Sequence, residues 1–257
     1  MEIIDRYAYN NRLRSIDPAI KAGLAFTTLV LCLVLNSVAA GVLAILWMFS
    51  LTVLAARVPA QVFVRVLFVE GAFMALTTIG VALSITVRDP SGVAQWAWQV
   101  GPLWFSGSID RIILGVTLVS RALGCAAAMN FLSLTTPLVD LIDLARRMRF
   151  SPVLIDLMTV IYRFIFVLLE SLDRMHTAQE SRMGYAGFKS GMNSAALLAA
   201  RLFIESYQRS QRLQTALESR GYDNDLRVLP EQYRADWRLV ISGVGIVASL
   251  VLVKWWF

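Results

Sequence analysis

The sequence predicts an all-α integral membrane protein with about five transmembrane helices and a cytoplasmic helical arm, and three observations support this fold class. Hydrophobic residues make up 57% of the 257 residues and charged residues only 16%, against about 25% charged in an average soluble domain. The apolar residues form several runs long enough to cross a bilayer. Several of the 7 tryptophans lie near the ends of these runs, as in interfacial belts.

Residues 1–134 are predicted to form an N-terminal transmembrane region of four spans. The apolar runs cover residues 19–35, 38–56, 62–87 and 109–134. Asn36 and Ser37 separate the first two runs, which predicts a helical hairpin. Residues 93–108 are rich in Trp and bounded by Gly and Pro, so an interfacial loop or a short surface helix is expected there.

The positions of the arginines predict the orientation in the membrane. With the N-terminus inside, five arginines fall on the inner side: Arg6, Arg12, Arg14, Arg57 and Arg65. The opposite loops carry little positive charge, so the positive-inside rule places the N-terminus in the cytoplasm. The polar N-terminal segment predicts no cleavable signal peptide. We therefore expect a multi-pass protein of the bacterial cytoplasmic (inner) membrane.

The composition changes after the fourth run, and residues 135–237 are predicted to form a cytoplasmic region of three helices. Thr136-Pro137 favours the start of an amphipathic helix, because Thr is a good N-cap and Pro is tolerated in the first turn. Ser151-Pro152 marks a second helix, and a third is predicted over 192–219. Residues 238–257 then provide a last transmembrane helix.

The apolar part of the second helix, residues 153–169, resembles a span in composition. Asp156 and Arg163 lie within it on one helix face, which favours contacts between helices. We therefore expect this segment to pack against protein at the inner face of the membrane, and the helix to continue to Gly184.

Two near-identical motifs end the second and third of these helices. They are Glu180-Ser181-Arg182-Met183-Gly184-Tyr185 and Glu218-Ser219-Arg220-Gly221-Tyr222. Gly is a common helix C-cap, so each Arg is expected in the last turn, where the helix C-terminus favours a positive side chain. One Arg-Gly pair is an ordinary helix ending, but the repetition favours a functional role.

Ionisable groups within the spans are the other candidate positions. Glu70 in the third run and Arg121 in the fourth are compatible with a transport site or with a structural pair. His176 is the only histidine, and no convergent set of metal ligands accompanies it. The sequence has no Gly-rich phosphate loop for ATP hydrolysis.

These features resemble the transmembrane T component of energy-coupling-factor (ECF) transporters, closest to the CbiQ-like cobalt and nickel branch. The resemblance covers nearly the whole chain, including Asp17-Pro18, the fourth span with Arg121, and the Thr135-Thr136-Pro137 entry. The family pattern is Ala-Arg-Gly, or more loosely X-Arg-X, at the ends of two coupling helices. It falls on Ser181-Arg182-Met183 and Ser219-Arg220-Gly221, with Ser in place of Ala in both and Met in place of Gly in the first.

The resemblance implies a coupling subunit of an ATP-driven importer and not an enzyme. Two ABC-type ATPase subunits, which would bind ATP and Mg, would each receive one coupling-helix tip through Arg182 or Arg220. The residues expected to shape the tips are Glu180, Gly184, Tyr185, Glu218 and Tyr222. A separate, metal-specific membrane (S) subunit would bind the substrate: first cobalt for cobalamin biosynthesis, then nickel or a vitamin. This chain itself would bind no cofactor or metal.

A stand-alone secondary carrier or a membrane enzyme is the alternative interpretation. A carrier needs a substrate site near the midplane, often with broken helices and inverted repeats, and the sequence shows no paired interrupted spans. An enzyme needs clustered acid–base or metal groups, which the sequence also lacks. The aromatic residues do not interleave with the arginines, so anionic lipid, and not nucleic acid, is the expected partner of the basic inner face.

Overall fold

The computed structural model describes residues 2–82, 84–86, 96–100, 103–107, 109–222, 233–234 and 236–256. The chain divides into two compact units. Unit 1 comprises Met1–Leu141 and Glu231–Phe257, and unit 2 comprises Ile142–Pro230. The described residues are mainly α-helical, as the sequence predicts, with one small β-sheet in unit 1.

Unit 1 begins with a short helix and a helical hairpin. Helix α1 covers Glu2–Tyr9, α2 covers Pro18–Leu35 and α3 covers Val38–Ser50, followed by a π-helical turn at Leu51–Ala55. Asp17 caps α2, because its side chain accepts a hydrogen bond from the Ala19 N–H at 3.0 Å. Asn36, at φ 41°, ends α2 in the left-handed conformation that a short polar side chain tolerates.

The third span and the Trp-rich segment differ from expectation. Helix α4 covers Ala60–Ala82, so it ends before the predicted residue 87. Strands β1 (Ser84–Thr86), β2 (Trp96–Val100) and β3 (Leu103–Gly107) then form an antiparallel sheet in the order β1-β3-β2. The loop or surface helix expected over 93–108 is therefore wrong. Aromatic and β-branched residues with a period of two favour strands, and Trp96-Ala97-Trp98 has this alternation.

Helix α5 (Ile109–Thr135) packs against α1, α2, α3 and α4, and α9 (Trp237–Trp256) packs against α2 and α3. Small residues allow the close approach of α3 and α5. A Cβ atom on Gly41 would collide with the backbone oxygen of Ser120, and the Ser120 hydroxyl donates to the Val38 oxygen at 2.9 Å. The apolar core includes Leu24, Ala25, Cys32, Ala44, Met48, Phe63, Ala127, Phe131, Ile246 and Leu250.

Unit 2 is dominated by two long helices. Helix α6 (Leu138–Arg147) lies at the division between the units, α7 covers Pro152–Glu180, and α8 covers Phe188–Glu218. Hydrogen bonds join the start of α7 to the residues after α8, and the end of α7 to the start of α8. The two helices therefore run antiparallel.

Five helices of the described residues are long and apolar enough to cross a membrane. Four are the predicted N-terminal spans, and the fifth is α7, whereas the apolar stretch Trp237–Val253 of α9 is shorter. The interpretation that residues 153–169 pack beside the membrane stays a prediction, because their helix also has the length and composition of a span.

Candidate functional site

Both motifs follow the ends of long helices, and both close the helix in the same way. After α7, Met183 has φ 60° and the Gly184 N–H donates to the Gln179 oxygen at 2.9 Å. After α8, Gly221 has φ 72° and the Tyr222 N–H donates to the Leu217 oxygen at 3.0 Å. In each case a left-handed residue and a bond across five residues satisfy a terminal carbonyl, as in the Schellman motif.

The left-handed residue of the first motif is Met183 and not the expected Gly184. Gly184 was the expected C-cap of the first motif, but Met183 takes that conformation and corresponds to Gly221. A residue with a Cβ costs roughly 1–2 kcal/mol there. Gly184 has a different role, because a Cβ at this position would lie 2.8 Å from Ser194 Oγ and 2.9 Å from the Gln179 oxygen.

The serines of the two motifs also correspond. The Ser181 hydroxyl donates to the Thr177 oxygen at 2.8 Å, and the Ser219 hydroxyl donates to the Thr215 oxygen at 2.7 Å. Each serine therefore satisfies a carbonyl of its own helix near the terminus. Both hydroxyls are directed back to the helix that they end.

Arg182 and Arg220 are both exposed. Neither forms a salt bridge with any other residue that the structure describes. The neighbouring glutamates have local partners: Glu180 lies 4.0 Å from His176 Nδ1, and Glu218 accepts from Gln214 Nε2 at 2.9 Å. Each tip thus presents an exposed guanidinium without a carboxylate partner among the described residues.

A hydrogen-bond network supports the first tip from the side of α8. The Tyr185 hydroxyl donates to Gln179 Oε1 at 2.8 Å, and Gln179 Nε2 donates to the Ser194 oxygen at 3.1 Å. The hydroxyls of Ser190 and Ser194 donate to the Gly184 oxygen at 2.8 and 2.9 Å. This network holds Arg182 at a defined corner between the two helices.

The second tip is joined to the start of α7. The Tyr222 hydroxyl lies 3.4 Å from Asp156 Oδ2, and Asp156 is buried. Asp156 thus contacts the segment that follows α8, and the contact between helices expected for it stays a prediction. Arg163 is exposed, and its expected contact with another helix stays a prediction.

The two tips lie at opposite ends of the antiparallel pair. Midway along it, the Ser171 hydroxyl donates to Glu205 Oε1 at 2.9 Å, and Arg209 Nη2 lies 2.6 Å from the same oxygen. Helix α8 begins near Arg182 and ends near Arg220, and its 31 residues span about 46 Å at 1.5 Å per residue. The two guanidinium groups are therefore presented at widely separated positions.

Glu70 and Arg121 have separate partners and do not form one site. Asn130 Nδ2 donates to Glu70 Oε2 at 2.8 Å, which joins α5 to α4. Arg121 Nη1 donates to Asn36 Oδ1 at 3.2 Å, at the turn between α2 and α3. The pairing that the sequence left open is thus replaced by two contacts with asparagines.

A buried polar group in unit 1 was not predicted from the sequence. Lys21 is fully buried in the first turn of α2, and Thr135 and Asp140 are buried beside the junction of α5 and α6. The interruption of the first apolar run by Lys21 was the available signal. Among the described residues, no group of three or more His, Cys, Asp and Glu side chains is arranged to hold a metal ion.

A family model and a curated relative that match this chain both carry the description cobalt transport protein. The model of the family described as CbiQ, cobalt transport protein, matches residues 10–230. The cobalt transport protein CbiQ of Rhodobacter capsulatus is 30% identical over 88% of this chain and 86% of its own length. An uncharacterized protein of Methanocaldococcus jannaschii is 31% identical over 88% of this chain and 83% of its own.

A relative of lower sequence identity is named for the transporter class and not for cobalt. The energy-coupling factor transporter transmembrane protein EcfT of Staphylococcus aureus is 26% identical over 98% of this chain and 95% of its own length. The family model covers most of the chain, including both helix-end motifs. With its long apolar helices, the chain belongs to the CbiQ family of transmembrane transport proteins.

Proposed function

We propose that this chain is the coupling subunit of an ATP-driven ECF-type importer, with Arg182 and Arg220 as its docking groups for two ABC-type ATPase subunits. One observation carries the proposal: two helix ends with the same closure each present an exposed arginine without an ion pair among the described residues. The chain itself catalyses no reaction in this proposal, and ATP and Mg bind to the partner subunits.

The chemistry of the tips suits docking into acidic grooves. Arg binds a carboxylate through two parallel hydrogen bonds, which fixes orientation as well as position. The local networks around Gln179 and Tyr222 hold the tips in place, so little freedom is lost on binding. Because the tips lie at opposite ends of a helix about 46 Å long, two separate ATPase subunits are favoured over one, with both tips on the cytoplasmic side.

Exposed apolar side chains on α7 and α8 support contact with a membrane partner. They include Val153, Leu157, Ile161, Phe188, Met192, Phe203 and Ile204. An exposed apolar surface of this extent marks a contact with protein or lipid. We propose a metal-specific substrate-binding membrane subunit as that partner and cobalt as the substrate, because the family is described as cobalt transport protein.

The proposal is tested by removing both guanidinium groups. The complex with co-expressed ATPase and substrate-binding subunits is purified through a tag on this chain carrying Arg182→Ala and Arg220→Ala. Leaving buried carboxylates without a partner costs about 3–5 kcal/mol, or at least about a hundredfold in affinity, at each site. We expect the ATPases to be lost from the complex and ATP-driven uptake of radioactive cobalt to stop.

Arg163→Ala with Arg201→Ala is the matched control, because these arginines are exposed on the same two helices away from the tips. The control complex should keep its ATPases. Retention of ATPases and uptake by the tip variant would contradict the proposal. Cobalt uptake by the chain alone in liposomes would instead favour the stand-alone carrier.

A further inference from the structure

A polar cluster in unit 1 surrounds the side chain of Lys21. This residue is 0% exposed, and its Nζ atom lies 3.2 Å from the Leu13 oxygen and 3.2 Å from the Thr135 oxygen. It is the only fully buried basic side chain among the described residues. A buried ammonium requires hydrogen-bond partners to offset lost hydration, and here backbone carbonyls supply them.

The Thr135 carbonyl is the centre of the cluster. Thr135 is the last residue of α5, and its oxygen also accepts a hydrogen bond from Asn11 Nδ2 at 3.2 Å. The last carbonyls of a helix have no partner within the helix and carry the negative end of its dipole. Lys21 therefore fixes the end of α5 with a charge of the favourable sign.

The segment that precedes α9 is tied to the same place. The Tyr233 hydroxyl donates to Asp140 Oδ1 at 3.2 Å, and Asp140 is buried. The Arg234 N–H donates to the Ser15 oxygen at 2.8 Å, and the Asp17 N–H donates to the Arg234 oxygen at 3.2 Å. We call Asn11, Lys21, Thr135, Asp140 and Tyr233 the junction cluster.

The junction cluster lies where the chain leaves unit 1 and where it returns to it. Unit 1 consists of Met1–Leu141 and Glu231–Phe257. Thr135 and Asp140 are thus close to the point where the chain leaves unit 1, and Tyr233 is close to the point where it returns. One cluster around a buried charge holds both points against the N-terminal segment.

The contacts of Lys21 argue against a substrate site. Its ammonium group donates to main-chain oxygens and is sealed from solvent. The apolar cleft between α2 and α9 is lined by neighbours such as Ile20, Gly23 and Leu24, but not by Lys21. Lys21 therefore contacts the protein's own backbone and does not line a ligand-binding cavity.

We propose that Lys21 is a positioning residue that fixes the exit and return points of the chain, so that motion of the coupling helices reaches the membrane helices. This inference rests on the proposed coupling function. Removing one member leaves buried polar groups without partners, so the cluster acts as a unit. If a member of the junction cluster is removed, ATP hydrolysis would still move the tips. Part of that displacement would then be lost at the points where the chain leaves and re-enters unit 1.

The test measures cobalt ions transported per ATP hydrolysed in proteoliposomes that contain the complete complex. Lys21→Met and Tyr233→Phe are compared with Thr28→Val. Thr28 is a matched control because it is buried in α2 and, among the described residues, its hydroxyl bonds the Leu24 oxygen of its own helix, at 2.9 Å. We expect Lys21→Met to keep its ATPases but to lower the ratio by about fivefold or more. Tyr233→Phe should lower it in the same direction, and Thr28→Val should leave it unchanged.

A purely structural role would lower the yield of complex and leave the ratio at the wild-type value, which would overturn the inference. If the complex with Lys21→Met does not assemble, Tyr233→Phe tests the inference, because it removes a single hydroxyl. A wild-type ratio of cobalt transported per ATP in Tyr233→Phe would equally overturn the inference. Failure of the wild-type chain to bind ATPases would contradict the proposed function itself. Bound ATPases with unchanged ratios in the variants would contradict only the role of Lys21.

Discussion

At the residue scale, Met183 and Gly221 show how two different side chains occupy one backbone conformation. Both have positive φ and both precede the residue whose N–H closes the helix. Met183 is 74% exposed, so its side chain meets no packing constraint that would oppose the conformation. The next residue, Gly184, is held by the hydroxyls of Ser190 and Ser194, which donate to its carbonyl oxygen.

Gly221→Ala tests the closure of the second tip. A Cβ at Gly221 would meet no atom within 4 Å, so the whole effect comes from the left-handed backbone. We expect a local loss of about 1 kcal/mol, seen as amide hydrogen exchange about fivefold faster at Tyr222. Gly187→Ala is the control, because Gly187 also has open space but an extended φ of −152°. Equal exchange in both variants would contradict the assignment.

The positions of the two arginines were predictable from sequence, but the surroundings of the tips were not. Repetition of Glu-Ser-Arg identified Arg182 and Arg220 without any structure. The left-handed position of Met183 was missed because Gly184 follows it, and Gly is the usual residue there. The partners of Lys21 are distant in sequence, up to 114 positions away, so local patterns did not reveal them.

At the element scale, a polar contact joins α4 to α5 in addition to their packing. Helix α4 is the least buried of the candidate spans, with 6% of its window buried within the chain. The Glu70–Asn130 hydrogen bond joins it to α5. Hydrogen bonds between helices in membranes are worth about 1 kcal/mol, which is a large share of the contact for a helix with so few buried residues.

Asn130→Ala and Glu70→Ala, which remove the donor and the acceptor of this hydrogen bond, distinguish a structural pair from a transport site. We expect each variant to lower the stability of the purified protein by about 1 kcal/mol. The double variant should lower it by less than the sum, because the two residues share one contact. Thr117→Ala is a control, because this hydroxyl donates to the Ile113 oxygen of its own helix and to no other group of the described residues. Loss of cobalt uptake at unchanged stability would instead make Glu70 part of a transport site.

The helices were more predictable than the strands at this scale. Apolar runs placed the ends of α2 and α5, and of α3 together with its π-helical turn, within one residue, because lipid requires long continuous apolar segments. The strands β2 and β3 were missed because Trp-rich segments also occur in interfacial loops. The pairing of Trp98 with Phe105 is a contact between strands that composition alone does not reveal.

At the scale of the whole molecule, the proposal depends on two equivalent tips at the ends of one helical pair. Contacts at the start, middle and end of α7 and α8 hold the pair together, through Tyr222–Asp156, Ser171–Glu205 and Gln179–Ser194. Rigid elements carry displacement better than loosely packed ones. The separation of the tips was not predicted from sequence, because it required the antiparallel arrangement of the two helices.

Site-specific photo-crosslinking tests the docking of both tips most directly. A photoreactive amino acid replaces Met183 or Ser219, which leaves Arg182 and Arg220 intact, and the same residue at Arg163 or Arg201 serves as the control. After irradiation of the assembled complex, adducts are identified by mass spectrometry. The account predicts ATPase adducts from both tip positions and none from the control positions. Absence of ATPase adducts at the tips, or equal adducts at the control positions, would contradict it.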